Sequence, residues 1–162
     1  MAEQSLVDSA RLRSVMGRFC TGLAVITAAD TDGPHGMLVQ SLTSVSLDPP
    51  LVLFCPQKTS TSWPRIRATE SFGVNILSAA QHHLCLSFAT SGVNKFDGVE
   101  WQPHDSGAPV LAGHLAYLDC RIHAVHDAGD HEIVVGLVED MVSSDMDDPL
   151  LFYRGRFGRW AA

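Results

Sequence analysis

Short apolar runs that suit β-strands dominate the chain. TGLAVITA at 21–28 is apolar and β-branched, and LVLFC at 51–55 is apolar throughout, so both segments predict strands. Between residues 118 and 124 apolar side chains alternate with polar ones, which is the period of a half-buried strand. The same criteria predict further strands, the first of them mixed with loop, at 36–47, 72–77, 132–142 and 150–153.

Helical spacing occurs in only a few places. Near the N-terminus apolar residues recur at i, i+3, i+4 and i+7, and Asp8 or Ser9 can cap this amphipathic helix. Ser78 and Gln81 have the S-x-x-Q form of a capping box, which predicts the start of another helix. The predicted helices cover 9–19, 63–67 and 79–90.

The order of these elements favours a mainly β fold with peripheral helices. Strict strand–helix–strand alternation is missing, and no G-x-G-x-x-G follows a strand, so the pattern does not indicate a Rossmann domain. We therefore expect an antiparallel barrel with the helices outside it. The 162 residues fit one domain spanning 1–162, in which we expect residues 1–8 to be flexible.

Charge and composition exclude several classes of partner. The formal net charge of −7 disfavours binding to nucleic acid or to anionic membranes. The sequence has no apolar run of about eighteen residues and no basic-then-apolar leader, so we expect a cytoplasmic protein. The four cysteines form no C-x-x-C pair and have apolar neighbours, which predicts buried free thiols and no metal site.

The stretch from Gly36 to Ser46 is unusually polar for a segment between two apolar strands. It carries the Gln40 amide and four hydroxyl groups among several small side chains. Such a segment can lay its backbone N–H and C=O groups along the polar edge of a flat heterocycle, for example the isoalloxazine ring of a flavin. An ordinary strand with a polar outer face would have the same composition.

Both lysines of the chain lie in segments that suit an anionic ligand. Lys58 precedes four hydroxyl residues and a predicted helix, whose free N–H groups and dipole favour a phosphate. The alternative is a simple helix cap beside a solvated lysine. Lys95 lies next to Phe96, in a loop that follows the predicted helix carrying Phe88. The two phenylalanine rings could bracket a ligand ring, and the lysine could bind a phosphate. Two core aromatics flanking a helix-ending glycine are the alternative.

Two further segments carry residues that suit a nicotinamide. The triplet Gly129-Asp130-His131 lies in a turn between two long predicted strands, where a histidine can titrate near neutral pH. It can equally be a hairpin turn closed by Asp130. The C-terminal segment 151–160 concentrates arginines and aromatic residues, which suits phosphate pairing and ring stacking, a packing strand or a dimer contact.

Taken in order, these segments resemble the short-chain flavin reductase family, the reductase components of two-component flavin-dependent monooxygenases. The resemblance extends from about Val15 to Trp160. Its most specific part is the segment SVSLDPP at 44–50 together with 36–41. The other matching segments, which occur in the expected order and spacing, are FCTGLAVIT at 19–27, FGVNIL at 72–77, Gln81, Phe88-Ala89, Lys95-Phe96, GDH at 129–131 and PLLFY at 149–153.

The resemblance implies an FMN-binding split β-barrel of the antiparallel Greek-key type. It implies an NAD(P)H-dependent flavin reductase (EC 1.5.1 type) that acts as a homodimer, with the flavin near the subunit interface. The cofactors would be FAD or FMN together with NADH, or with NADPH. Reduced flavin would be released and would diffuse to a partner monooxygenase.

The resemblance also implies a set of ligand-binding residues. Flavin would contact Gly36, Met37, Leu38, Val39, Gln40, Ser41, Ser44, Cys55, Lys58, Thr59, Thr61, Ser62, Phe88, Lys95 and Phe96. The nicotinamide would lie near Asp130, His131, Tyr153 and Arg156. His131 is the best candidate for a polar contact to the nicotinamide or for a proton source.

The segment 36–41 departs from the family pattern at two positions. Leu38 replaces a hydroxyl residue and Gln40 replaces a smaller polar residue of many relatives. Backbone contacts to a flavin would survive these changes, whereas a side-chain contact at position 38 would not. Two other functions stay open: a non-catalytic flavin-binding module on the same barrel, and an oxidase resembling pyridoxamine-phosphate oxidases.

Overall fold

The structure, a computed structural model, describes residues 7–161. The segment 1–8, predicted to be flexible, lies outside this range except for Val7 and Asp8. Asp8 caps the first helix, since its Oδ1 accepts a hydrogen bond of 2.7 Å from the Arg11 N–H. The helices are α1 (Ser9–Met16), α2 (Trp63–Ala68), a 3₁₀ helix (Ala79–Leu84) and α3 (Cys85–Ala89).

Twelve strands occur among the described residues, and every pairing between them is antiparallel. The central sheet has seven strands in the order β3-β2-β6-β9-β10-β5-β4, and two smaller sheets have the orders β1-β11-β12 and β7-β8. The sheets do not close into a complete barrel. The strands are β1 (Thr21–Gly22), β2 (Ala24–Asp30), β3 (Gly33–Val39), β4 (Thr43–Leu47), β5 (Pro50–Phe54), β6 (Ser71–Ile76), β7 (Trp101–Pro103), β8 (Pro109–Leu111), β9 (Ala116–Ala128), β10 (His131–Ser143), β11 (Leu150–Tyr153) and β12 (Arg156–Arg159).

These elements confirm the predicted mainly β architecture with peripheral helices. The predicted strands are all present, and the capping box of Ser78 and Gln81 forms as expected. The predicted helix that it begins is divided, since its first part is 3₁₀ and only its second part is α-helical. β7, β8 and β12 were not predicted. β7 and β8 have three residues each, too few for a recognisable period, and β12 has only one large apolar side chain, Phe157, whereas the equally short β11 is apolar throughout.

The hydrophobic core consists of two clusters on the two sides of β2. Residues of β2 alternate between them, so that Ile26 faces one cluster and Val25 the other. In the first cluster Phe54 meets Trp63 and Phe72 edge to face at centroid distances of 5.6 and 5.2 Å. The second cluster holds α3 against the sheet through Cys85 and Phe88. β2 is therefore the strand that joins the two halves of the core.

The β7–β8 hairpin is fastened to the sheet by buried polar groups. The side-chain amide of Asn75 makes both bonds: its Nδ2 donates to the Pro109 carbonyl at 3.2 Å, and its Oδ1 accepts from the Leu111 N–H at 2.8 Å. The predicted half-buried character of 118–124 is wrong at Asp119, which is only 6% exposed. The hairpin covers its carboxylate, which accepts a hydrogen bond of 2.6 Å from Ser106.

Two other predictions of burial need correction. Cys20 is exposed, although Cys85 and Cys120 are buried as expected and Cys55 is half-buried. The predicted amphipathic helix ends at Met16 and buries none of its side chains within the described chain. Its apolar face is open, and the exposed fractions are 53% for Leu12, 58% for Val15, 57% for Met16 and 71% for Phe19 just beyond it. No helix within residues 7–161 is long and apolar enough to cross a membrane.

Gly136 allows β10 to pack directly against the Phe72 ring, and this close approach yields a prediction. A Cβ at position 136 would lie 2.6 Å from Phe72 Cζ and 3.3 Å from Cys120 Cβ. Phe72 is fully buried, so its ring cannot move aside. We expect Gly136→Ala to lower the free energy of unfolding by about 1–3 kcal/mol, the usual effect of overpacking.

The measurement is urea denaturation followed by circular dichroism, with Gly158→Ala as the matched control. A Cβ at position 158 meets nothing within 4 Å, so we expect a change within about 0.5 kcal/mol. Equal stability of the two variants would contradict the close packing at Gly136.

Candidate functional site

A cleft of about 440 Å³ opens beside β3, and we call it the β3 cleft. One wall is β3 with the residues that follow it, and the opposite wall is the loop between β5 and α2. The end of α3 and the start of β10 complete the cleft. Its lining residues are Met37, Leu38, Val39, Gln40, Ser41, Cys55, Gln57, Thr59, Ser60, Phe88, Ala89, Ser91, Lys95 and His131.

β3 presents a free backbone edge to this cleft. Its only strand partner among the described residues is β2, joined to it by a two-residue turn at 31–32. In such a hairpin the residues next to the turn form a hydrogen-bonded pair and bonded pairs then alternate along the strands. The N–H and C=O groups of Gly36 and Leu38 therefore point away from β2. No strand pairs with that edge within residues 7–161, so the N–H and C=O groups of Leu38, which lines the cleft, can bind a ligand.

Lys95 holds β3 to the two helices that flank the cleft. Its Nζ donates to the Gly36 carbonyl at 3.1 Å, the Ser62 hydroxyl at 3.0 Å and the Phe88 carbonyl at 3.1 Å. An ammonium group has three N–H donors, so all are used within the protein. The phosphate contact considered for Lys95 is consequently not available without breaking one of these bonds. Burial lowers the pKa of Lys95, because the charged form loses hydration.

Phe88 and Phe96 do not bracket an open space. They pack against each other edge to face, with centroids 5.1 Å apart, and both are buried. A Cβ at position 36 would lie 2.6 Å from Phe88 Cε1, so only glycine fits where β3 crosses this ring. Phe88 contributes to the floor of the cleft, whereas Gly36 and Phe96 lie behind the lining residues.

Ser41 and Cys55 connect the two walls. The Cys55 N–H donates to the Ser41 hydroxyl oxygen at 2.8 Å, which leaves the Ser41 hydroxyl proton free to donate into the cleft. Burial raises the pKa of the Cys55 thiol, and a separate side-chain contact of that thiol with the Ser41 hydroxyl group offsets part of this effect. Cys55 therefore stays protonated near neutral pH and is a poor nucleophile.

The loop after β5 is fixed by the tip of the β9–β10 hairpin. Gln57 forms a bridge with His131, and the Lys58 N–H donates to the Asp130 carbonyl at 3.0 Å. The Lys58 ammonium group is paired with the exposed carboxylate of Asp127 and does not line the cleft. Thr59 and Ser60 line it, whereas Thr61 and Ser62 do not.

His131 lies at the mouth of the cleft with its ring partly exposed. Its Nδ1 is 2.7 Å from Asp130 Oδ1, and this contact lowers the pKa of the Asp130 carboxyl group. The pairing leaves Nε2 of His131 for a ligand, and the Asp130 carboxylate fixes the tautomer that bears a proton on Nδ1. Asp130 itself is exposed and outside the lining.

The remaining predicted residues lie away from the cleft. Ser44 is exposed on β4, and Tyr153 and Arg156 are exposed on β11 and β12. Phe152 and Gly155, their neighbours, line a second and more apolar groove of about 790 Å³, which we call the α1 groove. It joins the β3 cleft at Gln40 and Ser41 and is otherwise lined by Arg13, Met16, Gly17, Phe19, Cys20, Thr21, Gly22, Leu42 and Thr43.

Four lining residues were not predicted: Gln57, Ser60, Ala89 and Ser91. Ser60 belongs to the polar segment after Lys58 that the sequence predicts to bind a ligand, and Ala89 directly follows the predicted Phe88. The sequence therefore located both segments but not these two residues. Gln57 and Ser91 carry no distinctive sequence signal. Only the docking of their loops on the hairpin and on α3 brings them into the cleft.

The sequence of the chain is similar to those of known proteins. A family model described as a flavin reductase-like domain matches residues 16–161. The reductase subunit HsaB of a flavin-dependent monooxygenase from Mycobacterium tuberculosis is 46% identical, over 93% of this chain and 82% of the relative. The FMN reductase (NADH) SmoA of Agrobacterium fabrum is 45% identical, over 95% of this chain and 87% of the relative.

A solved structure extends the likeness to three dimensions. The NADH:FAD oxidoreductase SgcE6 of Streptomyces globisporus C-1027, in complex with NAD and FAD fragments, superposes with a TM-score of 0.90 and is 41% identical. The match covers 95% of this chain and 93% of that protein. It confirms the predicted fold class, a split barrel.

The environments of the cysteines predict an order of thiol reactivity. Only the thiolate is alkylated, and burial raises the pKa of Cys85 to about 11 and that of Cys120 to about 12. We expect iodoacetamide at pH 7.5 to label Cys55 slowly and to leave the two buried thiols unmodified. Since the pKa of Cys55 is also raised, its labelling should accelerate as the pH increases to 9.

Peptide mapping by mass spectrometry measures these rates, with the protein in urea as the control in which all four thiols react. Labelling of Cys55 at the same rate in the folded protein as in urea would contradict its place in the wall of the cleft.

Proposed function

The chain belongs to the flavin reductase-like family, and on that premise we propose that it is an NADH-dependent oxidoreductase that reduces FAD or FMN in the β3 cleft. The relatives support both flavins, since one is named as an FMN reductase and a solved neighbour as an NADH:FAD oxidoreductase. The observation that carries the proposal is the free edge of β3 along a cleft with a histidine at its mouth. NADPH is a second candidate donor.

The groups along the cleft fit the chemistry of an isoalloxazine ring. Its pyrimidine side offers carbonyl acceptors and one N–H donor, and the Leu38 N–H and C=O supply the complementary pair. The Ser41 hydroxyl and the Gln40 amide extend this polar edge. Because the contact at position 38 uses the backbone, the leucine that stands there in place of a hydroxyl residue does not prevent it.

When bound, flavin supplies the redox chemistry by accepting a hydride at N5 from C4 of the nicotinamide. The chain's own residues align the two rings and exclude water. Phe88 and Met37 would form the apolar floor beneath the flavin. With its proton on Nδ1, His131 would accept a hydrogen bond at Nε2 from the amide group of the nicotinamide, or, with both nitrogens protonated, would hold a proton at the mouth. No nucleophilic side chain is required, which agrees with the protonated state of Cys55.

Reduced flavin is released to a partner monooxygenase in this proposal. Both lysines near the cleft already have partners within the protein. Lys58 forms an ion pair with Asp127, and Lys95 donates hydrogen bonds to three protein oxygens, so neither binds a phosphate without giving up a partner. The pairing of both lysines is consistent with weak retention of the flavin. One relative is named as a monooxygenase reductase subunit, which is consistent with this role. The free thiols suit a reducing compartment and support a cytoplasmic location.

The proposed function is tested by mixing the protein with a large molar excess of FMN or FAD and NADH without oxygen. We expect oxidation of NADH together with bleaching of many flavin equivalents per chain, since release allows turnover. NADPH in parallel ranks the two nucleotides.

Two outcomes would overturn the proposal. No oxidation of either nucleotide with either flavin would favour a non-catalytic flavin-binding module. In a separate aerobic assay with pyridoxamine phosphate and no nicotinamide, oxidation of that substrate by oxygen would favour an oxidase. Reduction of only one flavin equivalent per chain would refute the release of reduced flavin but not the reductase activity.

The place of His131 predicts a selective effect on the nicotinamide. His131→Ala removes the side chain and retains the backbone bridge to Gln57. We expect the KM for NADH to rise about three- to tenfold, the effect of losing one hydrogen bond, with little change in the Kd of flavin. His126→Ala is the control, because His126 is exposed on the same hairpin and outside the cleft. Unchanged constants for NADH in His131→Ala would refute this role.

The open face of α1 supports the further proposal that the protein is a homodimer. Leu12, Val15 and Met16 form an apolar face that no other part of residues 7–161 covers, and the α1 groove beside it continues into the β3 cleft. A second copy seated on this face would bury the groove and place the ligand near the interface. Phe152 of β11 and Gly155, which lies between β11 and β12, line the same groove and fit the predicted dimer contact of the C-terminal segment.

A charge placed on this face should prevent association. We expect light scattering to give twice the mass of the chain for the wild type and the single mass for Val15→Glu. Ser14→Glu adds the same charge at the neighbouring position and should remain dimeric. A monomeric wild type, or a dimeric Val15→Glu, would contradict this interface.

A further inference from the structure

Lys95 carries a positive charge that no carboxylate neutralises within residues 7–161. Its three acceptors, on Gly36, Ser62 and Phe88, are all neutral oxygens. None of the ion pairs among the described residues includes Lys95. Lys58, the other lysine, is in contrast exposed and paired with Asp127.

The hydrogen bonds favour the charged form of Lys95 and oppose the effect of burial, which lowers its pKa. Three oxygens lie at 3.0–3.1 Å from Nζ; those of Gly36 and Phe88 are carbonyls that only accept, and the ammonium form alone can donate to all three. The side chain is half-buried and lines the β3 cleft together with Phe88 and Met37. A fixed and incompletely hydrated cation therefore stands beside the space assigned to the flavin ring.

Reduction changes the charge of that ring. The oxidised isoalloxazine is neutral, and a hydride brings two electrons and one proton to N5, so the ring becomes an anion until a second proton arrives. A cation beside the ring acts on the anionic form more strongly than on the neutral form. The interaction is larger in a partly desolvated site than in water, because the effective dielectric constant is lower.

We propose that Lys95 acts through its charge, favouring the binding of reduced, anionic flavin over oxidised flavin and thereby raising the reduction potential of flavin in the β3 cleft. This inference rests on the proposed function. It assigns to Lys95 a role different from phosphate binding: a phosphate keeps its charge on reduction, whereas the isoalloxazine ring does not.

Comparison of the two lysines tests the inference. The dissociation constants of oxidised FMN and of dithionite-reduced FMN are measured by anaerobic titration for the wild type, Lys95→Met and Lys58→Met. We expect Lys95→Met to weaken the binding of reduced FMN about tenfold more than the binding of oxidised FMN. This difference is equivalent to lowering the two-electron reduction potential of bound FMN by about 30 mV. Lys58→Met should leave the ratio of the two constants unchanged.

Further variants separate charge from packing. Lys95→Arg keeps the charge and should keep most of the preference for reduced FMN. Ser62→Ala removes one of the three acceptors without changing any charge, and should leave the ratio unchanged. If Lys95→Met does not fold, Lys95→Gln gives the same comparison, because its amide retains two N–H donors.

If the neutral variants at position 95 weaken the binding of oxidised and reduced FMN equally, the inference is overturned. Lys95 would then have only the structural role of holding the walls of the cleft together. Chemical reduction makes these titrations independent of NADH. Failure of the wild type to oxidise NADH would therefore count against the proposed function, whereas a constant affinity ratio would count against the role of Lys95.

Discussion

The ammonium group of Lys95 holds the walls of the β3 cleft in place. Its three acceptors belong to β3, to the start of α2 and to α3, which are far apart in the sequence. Gly36 and Phe88 are buried, and a buried carbonyl without a partner costs about 1–3 kcal/mol. The glycine at 36 belongs to the same constraint, because a side chain there would collide with Phe88 and separate β3 from α3.

The incomplete closure of the barrel makes this arrangement useful. β3 is an edge strand of the central sheet, so the cleft receives backbone donors and acceptors that a closed barrel would consume in pairing. β10 begins on the opposite side with His131, and the hairpin tip fixes the loop after β5. A flavin ring in the cleft can therefore contact the backbone edge of β3 on one side and a nicotinamide ring at the mouth. The open face of α1 continues from the same site and suits a second copy of the chain.

The sequence predicted most strands and the family, because period-two alternation and ordered motifs are local signals. It did not predict the burial of Asp119 or the role of Asn75, since both depend on the β7–β8 hairpin, whose strands have three residues each. Lys95 was expected to meet a ligand phosphate, because a lysine beside polar residues suggests an exposed charge. The structure turns that lysine inward, where three protein oxygens surround it. Gln57 and Ser91 reach the cleft only through the packing of loops.

The central claim is that the free edge of β3 is the binding edge for the flavin ring. Amide hydrogen exchange followed by NMR, with and without FMN, tests it at a single residue. Binding should slow the exchange of the Leu38 N–H, which points into the cleft, and should leave the Met37 N–H, which bonds to β2, nearly unchanged. Equal exchange of the Leu38 amide with and without saturating FMN would contradict the account.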